Sequence, residues 1–131
     1  MANFPQLDDT VGVWKLDKFN DAVMGGYWGA AGTRGLFAGG NPGASNVIDY
    51  VTIAATGNAT DFGDLISAQA EGSGGGNFTR SVFATGGGNT TDIVYVNPTS
   101  TGNAADFGDR TVATNSCGVA GNSTRLIMAG G

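Results

Sequence analysis

The side chains able to do chemistry are few, and most of them come in sets. Asp61 and Asp64 return 45 residues later as Asp106 and Asp109, and Asp49 adds a carboxylate to the first set. Arg34, Arg80 and Arg125 recur at spacings of 46 and 45. Carboxylates supplied at like positions by successive structural units can gather around an axis and hold Ca²⁺ or another hard cation through oxygen. The chain lacks the glycine–aspartate ladder of calcium-binding β-rolls, however, and short Asp side chains also close turns by accepting backbone N–H groups. Turn closure is the simpler reading, so no metal and no other cofactor is expected. The arginines are expected to pair with these aspartates between adjacent units, with recognition of an anionic glycan as the alternative.

Catalytic constellations are hard to assemble. The chain has no His, which removes His-based triads and dyads and most catalytic zinc sites. Its one cysteine, Cys117, lies in the small-residue run 115–120, where it has no partner for a disulfide and reads as a buried packing residue. Asp61-Phe62-Gly63 and Asp106-Phe107-Gly108 spell the metal-binding tripeptide of protein kinases, but without a His-Arg-Asp loop or a phosphate loop the match is coincidental. Enzymatic activity is therefore not expected. Asn58, Asn77, Asn89 and Asn122 each open an Asn-X-Ser/Thr acceptor pattern, expected by chance in a chain so rich in Asn and Thr.

The elements that must position these residues are short. The 24 glycines outnumber the six basic and eleven acidic residues together, without a Gly-X-Y period. The hydrophobic 40% is grouped into β-branched and aromatic runs such as 47–53 and 92–96, separated by Gly/Asn/Thr clusters. Such runs read as strands and turns, giving an all-β chain with a thin core. A net charge of −5 and no basic patch argue against nucleic acid as a partner, since phosphate contacts need clustered Lys and Arg. No apolar stretch approaches the ~20 residues of a membrane helix, and no basic-then-apolar secretory pattern opens the chain. A soluble protein made in a cytoplasm is expected, with no membrane partner.

The chain repeats itself. Residues 56–64, Thr-Gly-Asn-Ala-Thr-Asp-Phe-Gly-Asp, return at 101–109 with one mismatch. The motif Thr33-Arg34-Gly35-Leu36-Phe37-Ala38-Gly39-Gly40 is answered at 79–86 and again at 124–131. A period of about 45 signals supersecondary units that stack or radiate. The division it suggests is a leader over 1–32, repeats at 33–78 and 79–123, and a single further strand in 124–131. Strands are expected at 34–38, 47–53 and 61–67. A weaker fourth lies around 68–71, before a Gly74-Gly75-Gly76 loop. Repeat two follows the same order, with Pro98 ending its second strand early.

Four short strands in about 45 residues is the description of a propeller blade. The di-Gly strand end, the aromatic-bearing strand and the Gly-Asn turn before a hydrophobic–acidic segment resemble the kelch repeat. Gly39-Gly40 and Gly130-Gly131 match its di-glycine, Tyr50 and Tyr95 its tyrosine, and Phe62 and Phe107 stand near its tryptophan. Thr85-Gly86 departs from the pattern, so the second blade is expected to bend differently. Runs 46–53 and 57–65 look like the kelch-like variant found in structural proteins of tailed bacteriophages. The leader, Val11 to Leu16 and on to Trp28, is similar to a segment that precedes repeats in such virion proteins.

The resemblance implies two kelch-like blades per chain plus an extra C-terminal strand. Propellers have about 4–8 blades, so closure between chains is expected, most simply as a six-bladed homotrimer. The strand 125–129 is expected to complete a sheet begun by another segment, since an unpaired edge invites aggregation. In the leader, residues 15–24 read as a short helix or an extended arm, and Trp14, Phe19, Tyr27 and Trp28 as packing or anchoring residues. The implied role is structural: an exposed, symmetric appendage of a phage virion, such as a capsid decoration, head fibre or tail-associated knob. The resemblance implies synthesis in the bacterial host cytoplasm and anchoring to other virion proteins through the leader. A lectin-like module for host surface glycans is the alternative. Tyrosines stacked between blades would favour the first, and tyrosines on loop tips the second.

Overall fold

The β-branched and aromatic runs form strands, and each strand is antiparallel to its neighbours. The computed structural model describes residues 33–87 and 90–131, which lie in the second of the chain's two units, Gly32–Gly131. The leader's expected helix or arm and its aromatics Trp14, Phe19, Tyr27 and Trp28 fall outside the described residues. Within them the fold is all-β, with no helix. The strands are β1 (Arg34–Ala38), β2 (Ser45–Thr52), β3 (Thr60–Gln69), β4 (Ser73–Gly76), β5 (Ser81–Ala84), β6 (Asp92–Val96), β7 (Ala105–Asp109), β8 (Gly118–Gly121) and β9 (Leu126–Ala129). They make three sheets in chain order: β1-β2-β3, β4-β5-β6-β7 and β8-β9.

This grouping corrects the expected repeat boundaries. The segment 68–71 is not a separate strand, because β3 runs on to Gln69. The triple glycine is not a loop: Ser73–Gly76 pairs with β5 and opens the second sheet. The third sheet explains why a strand can be built from glycine. A Cβ on Gly75 would come within 2.9 Å of both Leu126 Cδ1 and Val119 Cγ1, so β4 has no room there for side chains beneath β8 and β9. The boundary at 78/79 thus falls inside the β4–β5 hairpin. The C-terminal strand β9 is paired with β8 of its own chain, over Gly118↔Ala129 to Gly121↔Leu126.

The three sheets are successive portions of one pattern. β1-β2-β3 correspond by sequence offset to β5-β6-β7, while β8-β9 correspond to β4-β5. Alternation along β1 and β2 sorts their side chains. Leu36, Ala38, Ile48 and Tyr50 turn towards the second sheet and pack with Phe62, Leu65, Val94 and Val96 in the main hydrophobic cluster. Gly35, Phe37, Asp49 and Val51 share the opposite face, since Gly35 pairs with Val51 and Phe37 with Asp49. Their counterparts in the second sheet, Phe83, Val94 and Val96, are the residues that fill the core from the other side. Pro98 does end β6 early, at Val96, where β2 continues to Thr52.

The Asp-Phe-Gly tripeptides have a structural cause. Ile48 faces Gly63 but Asp49 faces Asp61, so Phe62 is an extra residue in the ladder. Ile93 faces Gly108 and Val94 faces Asp106, which makes Phe107 the same extra residue one repeat later. Each tripeptide is a β-bulge, a device that bends a strand and re-aims one side chain.

Candidate functional site

The recurring arginine, tyrosine and phenylalanine meet in a three-residue stack, and the stack occurs twice. The Arg34 guanidinium lies 4.5 Å above the Tyr50 ring, and Tyr50 meets Phe62 edge-on, with centroids 6.0 Å apart and planes at 81°. Arg80 lies 4.6 Å above Tyr95, and Tyr95 meets Phe107 at 6.0 Å and 78°. The cation takes the negative face of the ring and the phenylalanine an edge-to-face position, both electrostatically favoured. This corrects the expected Arg–Asp pairing: the guanidinium groups are used on aromatic rings. Among the described residues Arg125 makes no such ring contact. Its backbone N–H donates to Asn122 Oδ1 at 2.9 Å, and its carbonyl accepts from Asn122 N.

The bulge brings Phe62 into the core and also shapes the contact between repeats. Gly102 N donates to Phe62 O and Ala104 N to Asp64 O, each at 2.8 Å. Asp64 N in turn donates to Asn103 Oδ1 at 3.1 Å. The turn ahead of β7 therefore runs along β3 as a short added strand, with the Asn103 side chain serving as one of its acceptors. Gly63 has φ +148°, and a Cβ there would lie 2.5 Å from Gly102 O. Only glycine leaves room for this approach. Arg34 finishes the contact by donating from Nη1 to Pro98 O at 3.0 Å.

The aspartates serve the backbone. Asp106 Oδ1 accepts from Gly108 N at 3.0 Å, and Asp109 Oδ1 accepts from the Thr91 hydroxyl at 2.9 Å. Among the described residues no three acidic, Cys or His side chains converge as metal ligands would. Cys117 is buried, and its carbonyl accepts from the Ser73 hydroxyl. Gly39 and Gly40 hold the end of β1, donating to Val47 O and Gln69 O. In the second repeat Thr85 is buried and bonded to Thr90 and to Asp92 O, and the left-handed glycine is Gly87. The bend does differ there, as the loss of the first glycine indicates.

Sequence reasoning missed two kinds of residue. Asn77 and Asn122 are turn caps: each Oδ1 accepts from the N–H and the hydroxyl of the Thr two positions on, and from the N–H of the following Arg. The acceptor patterns at these two positions are thus the β4–β5 and β8–β9 hairpin turns, legible in Asn-X-Thr-Arg recurring 45 residues apart. Arg110 stands where the first repeat has buried Leu65. It donates to Thr114 O and Oγ1, Thr85 O and Thr90 O, tying the β5–β6 loop to the β7–β8 loop. That break in the repeat was its signal.

Among the described residues, a cavity of about 170 Å³ is lined by Tyr50, Thr52, Ala55, Thr56, Gly57, Asn58 and Thr60. Tyr50 is its one aromatic wall, and that ring already carries Arg34 on a face and Phe62 at an edge. Neither repeat tyrosine stands free on a loop tip.

Comparison with protein-family models, with curated proteins and with solved structures found no match.

Proposed function

We propose that this chain is a structural building block, a component of a phage virion whose repeat region forms an exposed symmetric appendage held through the leader. One observation carries the assembly part of this reading. The stack and bulge that seat one repeat on the next are present twice, but the second copy is left open, with Phe107 50% exposed where Phe62 is 2% exposed. An exposed copy of a joint that is buried elsewhere in the same chain is suited to receive another unit. Its kelch-like sequence pattern supports the virion assignment, with blades closed between chains as a homotrimer of six. Tyr50 and Tyr95 occupied within Arg–Tyr–Phe stacks support packing over glycan stacking, so the lectin-like reading draws no support from them.

Two measurements test this. Light scattering during size-exclusion chromatography is expected to return about three times the 13.1 kDa chain mass. Gold-labelled antibody against the chain is expected to decorate tailed particles at symmetric positions. A stable monomer would remove the shared-ring idea, and particles free of label would remove the virion role.

A further inference from the structure

The two repeats give the geometry of a joint whose halves, among the described residues, also stand open on opposite sides of the repeat region. The used joint consists of the turn Gly102-Asn103-Ala104 laid along Phe62-Gly63-Asp64. The unused acceptor is Phe107-Gly108-Asp109. Gly108 has φ +134°, close to that of Gly63, yet no described residue lies within 4 Å of a Cβ built on it. The unused donor is Gly57-Asn58-Ala59, identical in sequence to 102–104 and exposed at all three residues. Ala104, seated in the joint, is half-buried.

The surfaces around each half agree. On the outward face of the first sheet Phe37 is 61% exposed, whereas its counterpart Phe83 is packed in the core. Beside the acceptor, the Arg80–Tyr95–Phe107 stack is formed but Arg80 is exposed. Its equivalent Arg34 is half-buried and bonds Pro98 O. The third sheet does not close this site: β8 packs on β4, at the opposite side of the second sheet from β7.

We propose that the Phe107-Gly108-Asp109 edge of one chain receives the Gly57-Asn58-Ala59 turn of a second copy, repeating between chains the joint that links the repeats within one. This rests on the assembly part of the proposed function and supplies its contacts. Gly57 N and Ala59 N of the incoming copy donate to Phe107 O and Asp109 O. Asn58 Oδ1 accepts from Asp109 N, and Arg80 reaches the carbonyl of the incoming Ile53, the counterpart of Pro98. The joint is heterologous, donor on acceptor, so it closes into a ring or runs on as a filament. It also makes one strand redundant. The incoming β1 corresponds to β5, the position β9 holds in the third sheet, and 33–38 and 124–129 share the pattern Thr-Arg-X-apolar-apolar-Ala. β9, paired only with β8, is the strand that yields.

Cysteine pairing tests the joint directly, and the buried native Cys117 stays out of the reaction. Asn58→Cys and Asp109→Cys chains, mixed and oxidised, are expected to give a disulfide-linked dimer, at least tenfold more than either variant alone. Asp64→Cys with Asn103→Cys in one chain is the positive control, since it places the same pair across the joint already formed. Adding Gly108→Val to the Asp109→Cys chain is expected to abolish the dimer. An oligomer by light scattering with no dimer in the mixture, while the control closes, overturns this joint and leaves assembly standing. A monomer with no dimer overturns both. A dimer from Asn58→Cys alone also overturns the proposal, because it would mean a two-fold contact between like surfaces.

Discussion

Phe62 and Phe107 are the same residue in the same tripeptide, bulge and aromatic stack, yet one is buried and the other half-exposed. Everything local is shared: the extra residue in the ladder, the positive-φ glycine after it and the tyrosine it meets edge-on. What differs is the next layer. Val94, Val96 and Ala104 lie over Phe62, while the third sheet, with two strands only, lies at the β4 side and leaves Phe107 open. A repeat thus encodes its own shape completely and its burial not at all. Burial belongs to the neighbour.

That contrast can be broken most directly at the two phenylalanines. Phe62→Ala is expected to cost about 3–5 kcal/mol, as for a large core side chain. Phe107→Ala is expected to cost less than about 1 kcal/mol in the isolated chain, because little packing is lost from an exposed site. Urea denaturation midpoints of the two variants decide it, and equal losses would mean that Phe107 is covered in solution. The two bulge glycines come next. Gly63→Ala must place a methyl group against Gly102 O in addition to straining φ, and is expected to cost at least about 2 kcal/mol. Gly108→Ala meets only the strain, about 1 kcal/mol. A Gly108 variant as damaging as the Gly63 one would show that its slot is filled.

The arginines sharpen the same comparison with smaller effects. Arg34→Ala loses a bond to Pro98 O as well as its ring contact, and about 1.5–3 kcal/mol is expected from a charged hydrogen bond. Arg80→Ala loses an exposed cation–π contact worth about 0.5–1 kcal/mol. Thermal melts of the pair, with Lys replacements alongside, separate the planar guanidinium from its charge. Smallest is the difference between the hairpin caps. Asn77→Ala and Asn122→Ala each lose the same three turn bonds, but Asn77 Nδ2 also donates to Ser123 O at 2.7 Å. Asn77 is therefore expected to cost about 1 kcal/mol more, the net worth of one hydrogen bond. Hydrogen exchange at Arg80 and Arg125 reports the local loss at each turn.

Much of the fold was legible in the residues, because strands and turns are local. The β-branched runs and the 45-residue period gave most of the strands, and Pro98 gave the end of β6. The triple glycine misled, since a strand without side chains carries no periodic signal and looks like a linker. It is a strand because it pairs with β5, and Gly75 carries no side chain because Val119 and Leu126 of the third sheet leave no room for one. The arginines misled for a related reason. Opposite charges recurring at like positions suggest pairing, but strand alternation places Arg34 and Tyr50 on the same face of adjacent strands, so the ring is the nearer partner.

By itself, the sequence determined that this is an all-β chain of two like units, each with an arginine, a tyrosine and an Asp-Phe-Gly tripeptide at fixed intervals; that each tripeptide is a bulge came from the strand register. Those features depend on neighbours a few residues apart, and local sterics and turn chemistry settle them. Only the tertiary structure decided where one sheet stops and the next begins, which phenylalanine is core and which is surface, and that Asn103 closes the joint between repeats. These depend on which backbones come within hydrogen-bonding distance across some 40 residues of chain, and no short-range pattern carries that information.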